Sequence, residues 1–220
     1  GEEARMAGAG VILGPGMNIY RNARCGRNFE YLGEDPHLAA SIIYDYVTGM
    51  QSTGTLACAK HFLCNQTEFY RRRSNSIVDE RAIMEIYTPA FKAAIDAGVA
   101  TVMTAYNQLN GEWTGQSKYV ITDLLRGTLG FKGMVMSDWN SIYDWKDVIL
   151  SGQNLDMPGE NAFYIKKKPA DLVAEGVVTE SDIDNMIRPT IATCIRWGLY
   201  DRYNSGNQYD YSLDAKLPAH

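Results

Sequence analysis

The chain has 220 residues, of which 45% are hydrophobic and 21% are charged, and its formal net charge is −5. This length allows one domain with a buried core, and the composition is typical of a globular protein. The acidic balance argues against a nucleic-acid partner, and charges or glycines interrupt every apolar stretch, so no membrane-spanning helix is expected.

Strand-like and helix-like segments alternate along the chain. Short apolar runs bounded by glycine or proline predict strands, and apolar residues at helical spacing predict helices. The strands are predicted at 11–13, 56–62, 99–103, 134–137 and 155–157. The helices are predicted at 37–51, 80–97, 122–126, 144–150, 170–175 and from 179 onward.

The final predicted helix begins at a capping box formed by Thr179 and Asp182. Pro189 lies inside this helix and is expected to bend or interrupt it. Apolar residues at helical spacing predict that one stripe of the helix is buried. The stripe consists of Ile183, Met186, Ile187, Ile191, Cys194 and Ile195. After Tyr200 the chain is polar and aperiodic, and we expect it to run over a surface.

Repeated strand–helix units predict parallel strands joined by right-handed crossovers. About five strands are predicted, whereas a closed (β/α)8 barrel needs eight and typically about 250 residues. The fold is therefore either an open sheet or a barrel of which part is missing from this chain. The first residues resemble the end of a helix, which suggests that a missing part would lie upstream.

One carboxylate stands out at the end of a predicted strand. The continuous apolar run 134–137 is typical of a parallel strand covered on both faces, and it ends at Asp138, which is followed by Trp139. The carboxyl ends of the strands are where an α/β barrel holds its catalytic groups. The alternative is that Asp138 caps the helix that follows.

Polar and aromatic side chains also follow the other predicted strands, and in a barrel they would meet at one mouth. Charged side chains can hold several hydroxyl groups, and Trp, Tyr and Met can pack on a sugar ring, so the set favours a carbohydrate site. The sequence has no P-loop or GxGxxG for a nucleotide cofactor. The four cysteines lack the spacing of a zinc site or disulfide framework, so neither a metal nor a cofactor is expected. The set is Arg27, Lys60, His61, Tyr106, Asn107, Asp138 and Trp139.

Taken together, these segments resemble glycoside hydrolase family 3, and within it the β-glucosidases and related β-glycosidases. The resemblance runs in order from about residue 10 to residue 202. The matching segments are 26–36, 60–62, 102–107, 135–139 and 154–159. The resemblance implies an α/β fold, a (β/α)8 TIM-type barrel that is incomplete in this chain, with its first strands missing. Residues 1–200 would form the partial catalytic barrel, and 201–220 a C-terminal tail or linker toward a second domain.

The resemblance also implies a function: the hydrolysis of terminal non-reducing β-D-glycosidic bonds, above all of β-D-glucosides, by a retaining double displacement. Asp138 would be the catalytic nucleophile. Arg27, Lys60 and His61 would bind hydroxyls of the first sugar, and residues lining the same subsite would complete it. The lining residues are Met103, Tyr106 and Trp139.

Two parts of the family's machinery have no counterpart in the sequence. A sugar-binding aspartate belongs to strands upstream, and the acid/base of β-glucosidase-like members belongs to a downstream domain. The expected partners are therefore a β-linked glycoside and the remaining segments of the same enzyme, without nucleic acid or membrane. Residues 65–70 lack the Asp-Ser-His signature of the family's N-acetylglucosaminidases, which disfavours that activity. Relatives often digest external oligosaccharides, which suggests export, but no targeting segment is visible.

Each assignment has an ordinary structural alternative. Arg27 would pair with Glu30 or Glu34 in a loop, and Met103 would fill the core. Lys60 would point to solvent, His61 would be a core histidine, and Trp139 would seal the rim. The basic triplet 71–73 is typical of a solvated turn.

Two other functions compete with the glycosidase. Lys60 at the end of a strand could form a Schiff base, as in an aldolase. The chain could also belong to a carbohydrate-binding protein that has the mouth without the chemistry.

Overall fold

The computed structural model describes residues 1–159, 165 and 167–204. Residues 203 and 204 are described by their backbone alone. Its strands are β1 (Val11–Ile12), β2 (Leu56–Phe62), β3 (Asn75–Ser76), β4 (Thr101–Thr104), β5 (Gln108–Leu109), β6 (Glu112–Trp113) and β7 (Met134–Met136). Its α-helices are α1 (Glu2–Met6), α2 (Pro36–Ser52), α3 (Glu80–Ala82), α4 (Pro89–Asp96), α5 (Trp145–Ser151), α6 (Pro169–Ala174), α7 (Glu180–Arg196) and α8 (Leu199–Asn204). Two segments are π-helical, Ile83–Tyr87 and Tyr119–Thr128, and two are short 3₁₀ turns, Asn28–Glu30 and Thr114–Gln116.

The main sheet contains four parallel strands in the order β1-β2-β4-β7. Helical segments connect successive strands of this sheet, as the alternation in the sequence predicts. Where a fifth strand is predicted, Leu155 forms a single parallel bridge with Met136. Within the described residues the sheet stays open at both edges, so it is an arc of parallel strands rather than a closed barrel.

The two faces of the main sheet pack against different partners, because successive side chains of a strand point to opposite sides. On one face, the small residues Ala57 and Ala59 let the helices approach closely, and Phe62 meets Phe91 of α4 edge-on at 4.9 Å between ring centroids. The opposite face carries a sulfur-rich cluster, which we call the methionine cluster. It consists of Cys58, Met103, Met134 and Met136.

The predicted helix 80–97 is interrupted in the middle. Pro89 has no N–H to continue the helical ladder, and the turn before it widens, with the N–H of Thr88 donating to the carbonyl of Ile83 at 3.0 Å. Pro89 then occupies the first turn of α4, where proline is well tolerated. One predicted helix therefore becomes a short α-helix, a π-helical turn and a second α-helix.

Helix α7 agrees with its predicted start but not with its predicted stripe. Thr179 and Asp182 form the capping box, and Pro189 lies inside a continuous helix. Ile183 and Met186 pack against α5 and α6, but three isoleucines of the stripe are exposed because no other described segment covers them. The exposed residues are Ile187, Ile191 and Ile195.

No helix among the described residues combines the length and the apolar character needed to cross a membrane. The predicted tail 201–220 starts inside α8, and residues 205–220 lie outside the described residues.

A second, small sheet lies in the loops that follow β2 and β4. Strand β3 pairs in parallel with β5, and β5 pairs antiparallel with β6. The β5–β6 hairpin turns through Asn110 and Gly111, whose φ angles are 51° and 98°. An Asn-Gly pair suits such a two-residue hairpin because both residues tolerate positive φ. The sheet ties together the loops at the carboxyl ends of two neighbouring strands of the main sheet.

Gln51 joins α2 to the starts of β2 and β4. Its Nε2 donates to the carbonyl of Gly98 at 2.9 Å, and its Oε1 accepts from the N–H of Ala100 at 2.9 Å and of Ala57 at 3.4 Å. We expect Gln51→Leu to lower the free energy of unfolding by about 2–4 kcal/mol, because these backbone groups would stay buried without partners. Urea denaturation measures the change. The control Ser52→Ala, at the next and exposed position of α2, should change it by less than about 0.5 kcal/mol.

Candidate active site

Asp138 lies in the loop after β7, at the carboxyl end of the main sheet. The alternative that it caps the next helix is wrong. Helix α5 begins at Trp145, and its N-cap is Asp144, whose carboxylate accepts the N–H of Lys146 at 2.8 Å. Asp138 keeps only 5% of its surface exposed, so its carboxylate lies among protein groups rather than in bulk water.

The two oxygens of Asp138 have different surroundings. Oδ1 accepts the N–H of Trp139 at 2.7 Å. Oδ2 is buried, lies 3.5 Å from Nε2 of His61, and has no hydrogen-bond partner among the described residues. Burial raises the pKa of Asp138, while the N–H of Trp139, the hydroxyl of Tyr106 and the positive charges of Arg27 and Arg71 lower it. The net effect is a raised pKa, since burial is the largest contribution.

His61 faces Asp138 from the end of β2, where the strand has an irregularity. Lys60 pairs with Met103 of β4 and Phe62 with Thr104, so His61 is an extra residue in the ladder. Consecutive side chains of a regular strand point to opposite faces, and a bulge re-aims them. The irregularity lets both Lys60 and His61 reach the same site.

The His61 ring is fixed from behind. Asn18 accepts the backbone N–H of His61 and donates to its carbonyl, both at 2.9 Å. Nδ1 of the ring lies 3.2 Å from the hydroxyl of Tyr31 and 3.3 Å from Oδ1 of Asn18. When the Tyr31 hydroxyl donates to Nδ1, the ring proton sits on Nε2 and faces Asp138, and when Nδ1 donates to Asn18, Nε2 carries no proton. Burial and the nearby charges of Arg27, Lys60 and Arg71 hold the pKa of His61 well below its usual value. The imidazole is therefore a neutral group at physiological pH.

Arg27 and Lys60 meet at one carboxylate. Glu30 pairs with Nε of Arg27 and lies 3.3 Å from Nζ of Lys60, and all three side chains are largely buried. Burial raises the pKa of Glu30, but the hydrogen bond from Arg27 and the charge of Lys60 outweigh it, so the pKa is lowered. The alternative pairing of Arg27 with Glu30 is thus present. It also holds the guanidinium beside the site, so the structural and the functional interpretations are compatible.

Two residues that the sequence analysis did not select lie at the same site. Arg71 places its guanidinium 3.9 Å from the centre of the Tyr106 ring and pairs with Glu68 at 2.6 Å. Arg72 is exposed, yet it donates to the carbonyl of Trp139 at 3.1 Å. The triplet lies in a turn with Arg72 and Arg73 exposed, as predicted, but Arg71 is only partly exposed because it contacts Tyr106 and Glu68. The available signal was position, because the triplet follows the strand that carries Lys60 and His61 near its end.

The remaining predicted residues are packed in the methionine cluster or lie near Asp138. Met103 is buried within the methionine cluster, and Trp139 packs against that cluster. Tyr106 is also buried, and burial together with the charge of Asp138 raises the pKa of its hydroxyl. Asn107, the residue after Tyr106, donates to the carbonyl of Leu63 at 3.1 Å and so ties two loops together.

The arrangement brings one buried carboxylate together with a neutral imidazole and several cations. Such a set can bind a polar, uncharged molecule through many hydrogen bonds while one carboxylate oxygen stays available. Two other carboxylates of the described residues, Glu30 and Glu68, neighbour the same cations, and both are ion-paired.

A family model of the glycosyl hydrolase family 3 N-terminal domain matches residues 1–188 of this chain. A beta-glucosidase from Rhizobium radiobacter is 44% identical over 203 residues, which are 92% of this chain and 25% of that protein. An exo-alpha-(1->6)-L-arabinopyranosidase from Bifidobacterium longum is 39% identical over 191 residues, which are 86% of this chain and 25% of that protein.

The solved structure of beta-glucosidase 3B from Thermotoga neapolitana in complex with glucose is similar to this chain, with a TM-score of 0.87 and 36% sequence identity. The match covers 98% of this chain and 31% of that one. It confirms the predicted α/β fold, in which the main sheet is part of a TIM-type barrel. The chain spans about a quarter of the length of the curated relatives it matches.

The lowered pKa of His61 predicts how stability depends on pH. The folded state binds a proton at His61 more weakly than the unfolded state, whose histidine titrates near 6.5. The contribution of His61 to stability is therefore complete above about pH 6.5 and is lost as the pH falls below it, on the order of 1 kcal/mol at pH 5.5. Urea denaturation at pH 7.5 and 5.5 measures the loss, which should be smaller in His61→Gln.

An NMR titration gives an independent check of the same point. The ring C–H resonance of His61, assigned by its disappearance in His61→Gln, should not titrate near pH 6.5. A midpoint at that pH would show that the imidazole is not shielded from protonation.

Proposed function

Because this chain belongs to glycosyl hydrolase family 3, whose N-terminal domain model it matches over residues 1–188, we propose that it supplies the nucleophile and sugar-binding side chains of a retaining β-glucosidase. The observation that carries the proposal is the Asp138 carboxylate. One oxygen is held by a backbone N–H, and the other is buried without a hydrogen bond, beside a neutral imidazole.

In the proposed mechanism, Oδ2 of Asp138 attacks the anomeric carbon of the glycoside. The bond from that carbon to the aglycone oxygen breaks, and an acid protonates the departing oxygen. A glycosyl ester on Asp138 remains, and water activated by the same acid/base group then cleaves it and restores the carboxylate. The N–H of Trp139 fixes Oδ1, so the reacting carboxylate is already oriented before the sugar binds.

The sugar bound at this point would be held mainly by charge-assisted hydrogen bonds. Arg27, Lys60 and His61 are the proposed donors to its hydroxyls, and Glu30 keeps the two cations in place. Arg71 is a further candidate, since it lies on the ring of Tyr106 beside the nucleophile. Trp139 would pack on the sugar, with Met103 beneath it in the methionine cluster. Buried charges of this kind are favourable only when every polar group finds a partner.

The acid/base group is proposed to come from another segment of the same enzyme. The carboxylates beside the cations of the site are already engaged, Glu30 with Arg27 and Lys60 and Glu68 with Arg71. In a retaining pair the incoming carboxyl would approach Asp138 to about 5–5.5 Å. Residues 1–200 are accordingly proposed as part of the catalytic barrel, and 201–220 as the tail or linker toward a further domain.

The Schiff-base aldolase is not favoured. Imine formation requires a free amine, whereas Nζ of Lys60 is paired with Glu30 at 3.3 Å. A β-D-glucoside is the first substrate to test, followed by other glycosides, because relatives of similar identity are named for different sugars.

Asp138→Asn in the full polypeptide should lower kcat for an aryl β-glucoside on the order of 10⁴-fold while glucose binding persists. Asp138→Gly should regain turnover of a dinitrophenyl β-glucoside when azide is added, and the product should be the α-glucosyl azide, since azide would attack from the side of the missing carboxylate. A protein whose biological activity survives Asp138→Asn would instead be a carbohydrate-binding protein.

Arg71→Met should move the acidic limb of the kcat/KM profile to higher pH. The charge of Arg71 lowers the pKa of Asp138, so its removal leaves the effect of burial less opposed, and the nucleophile ionises at higher pH. The matched control is Arg73→Met, because the Arg73 side chain makes no hydrogen bond or ion pair with described residues. An identical profile in both variants would contradict the electrostatic role of Arg71.

A further inference from the structure

The pairing between β1 and β2 continues beyond the end of β1 and reaches the residues of the site. Gly16 forms a parallel bridge with Lys60, and the N–H of Met17 donates to the carbonyl of Lys60 at 2.8 Å. At the next residue the partner is a side chain, because the amide of Asn18 pairs with the backbone of His61. A side-chain amide offers an acceptor and donors like those of a peptide group, so Asn18 extends the pairing to the extra residue of β2.

The bonds of Asn18 hold both peptide groups that flank the Cα of His61. Its Oδ1 accepts the N–H of the peptide between Lys60 and His61 at 2.9 Å, and its Nδ2 donates to the carbonyl of the peptide that follows, also at 2.9 Å. The first of these peptides is held at its carbonyl as well, by the N–H of Met17. Since each peptide group is planar, fixing the planes on both sides of a Cα fixes both backbone dihedrals of that residue.

These contacts are shielded from solvent. Asn18 keeps 3% of its surface exposed and His61 keeps 1%, so water competes little for the hydrogen bonds between them. Oδ1 of Asn18 also lies 3.3 Å from Nδ1 of the His61 ring, whereas Nε2 of that ring faces Asp138. One side chain therefore constrains the backbone of His61 and borders its ring.

We propose that Asn18 is a positioning residue for sugar recognition, which sets the direction from which Lys60 and His61 meet the hydroxyls of the bound sugar. This inference rests on the proposed function and deepens it. Both polar atoms of the Asn18 amide are engaged with His61, so the residue acts through its neighbours rather than on the sugar. A binding group must be held to within about 0.5 Å of its productive position, and the peptide that Asn18 holds joins the two residues that carry the donors.

The test uses the full polypeptide and aryl β-glucosides that each lack one hydroxyl of the sugar. The kcat/KM of the parent glucoside divided by that of the deoxy glucoside reports what the missing hydroxyl contributes. His61→Ala and Lys60→Met identify the hydroxyls that these residues bind, because the ratios for those hydroxyls fall. Asn18→Ser, whose side chain is too short to reach both peptide groups, should lower the same ratios about threefold to tenfold and leave the others unchanged.

The matched control is Asn154, a second buried asparagine, which holds the backbone of β7 instead of β2. Its Oδ1 accepts the N–H of Val135 at 2.8 Å, and its Nδ2 donates to the carbonyl of Met186 at 2.7 Å. Asn154→Ser should lower the free energy of unfolding, as Asn18→Ser does, but leave every ratio unchanged. Ratios that stay the same in Asn18→Ser, or that fall equally for all hydroxyls, would overturn the inference.

Asn18→Asp gives a check that does not depend on turnover. The variant keeps the shape of the side chain but places a carboxylate 3.3 Å from Nδ1 of His61, and a negative charge there should raise the pKa of the imidazole. In the full polypeptide labelled at its histidine rings, the resonance that disappears in His61→Gln should then titrate between about pH 5 and 8, which it should not do in the unaltered protein. The other charged and titratable groups around the ring stay in place: Tyr31, Asp138, Arg27, Lys60 and Arg71.

The outcomes separate the inference from the function on which it rests. A His61 resonance that does not move with pH in Asn18→Asp would show that this side chain does not control the imidazole, and would overturn the inference. Failure of the unaltered protein to hydrolyse the parent glucoside would instead refute the proposed function itself.

Discussion

A carboxylate taken out of water remains an anion only where fixed dipoles and positive charges replace the solvent, and the site around Asp138 is organised by that requirement. The N–H of Trp139 holds one oxygen, and Arg27 and Arg71 contribute positive charge. Burial and the same cations oppose a proton on His61, so the imidazole beside the carboxylate stays neutral. The charges are coupled, and changing one alters the protonation of its neighbours.

The scaffold makes this grouping possible through the common direction of its strands. Because β1, β2, β4 and β7 are parallel and adjacent, the loops that follow them all emerge at one end of the sheet, and residues from about 27 to 139 meet there. The extra residue in β2 then brings both Lys60 and His61 to the site. The small β3-β5-β6 sheet joins two of these loops and limits their independent movement.

Several features of the described residues fit a unit that works within a larger barrel. The main sheet has open edges, α7 exposes a row of isoleucines, and Glu30 and Glu68 are already paired with cations. An exposed apolar row marks a surface that normally contacts another segment, and a retaining glycosidase needs a second carboxyl group near its nucleophile. All are accounted for if other segments cover the apolar stripe, close the sheet and supply the acid/base, which agrees with the fraction of the relatives' length that this chain spans.

The sequence by itself determined the parallel α/β organisation, most element positions and the grouping of Arg27, Lys60, His61 and Asp138, because apolar periodicity and the polar residues at strand ends are local patterns. It did not reveal the Asn110–Gly111 hairpin, whose strands are too short to show periodicity, or the interruption at Pro89. Only the tertiary structure decided that Arg71 lies on Tyr106, that Asp144 rather than Asp138 caps α5, and that part of the α7 stripe is exposed. These three features depend on which distant segment packs beside a residue. The spacing of residues along the chain does not show which segments become neighbours in the fold.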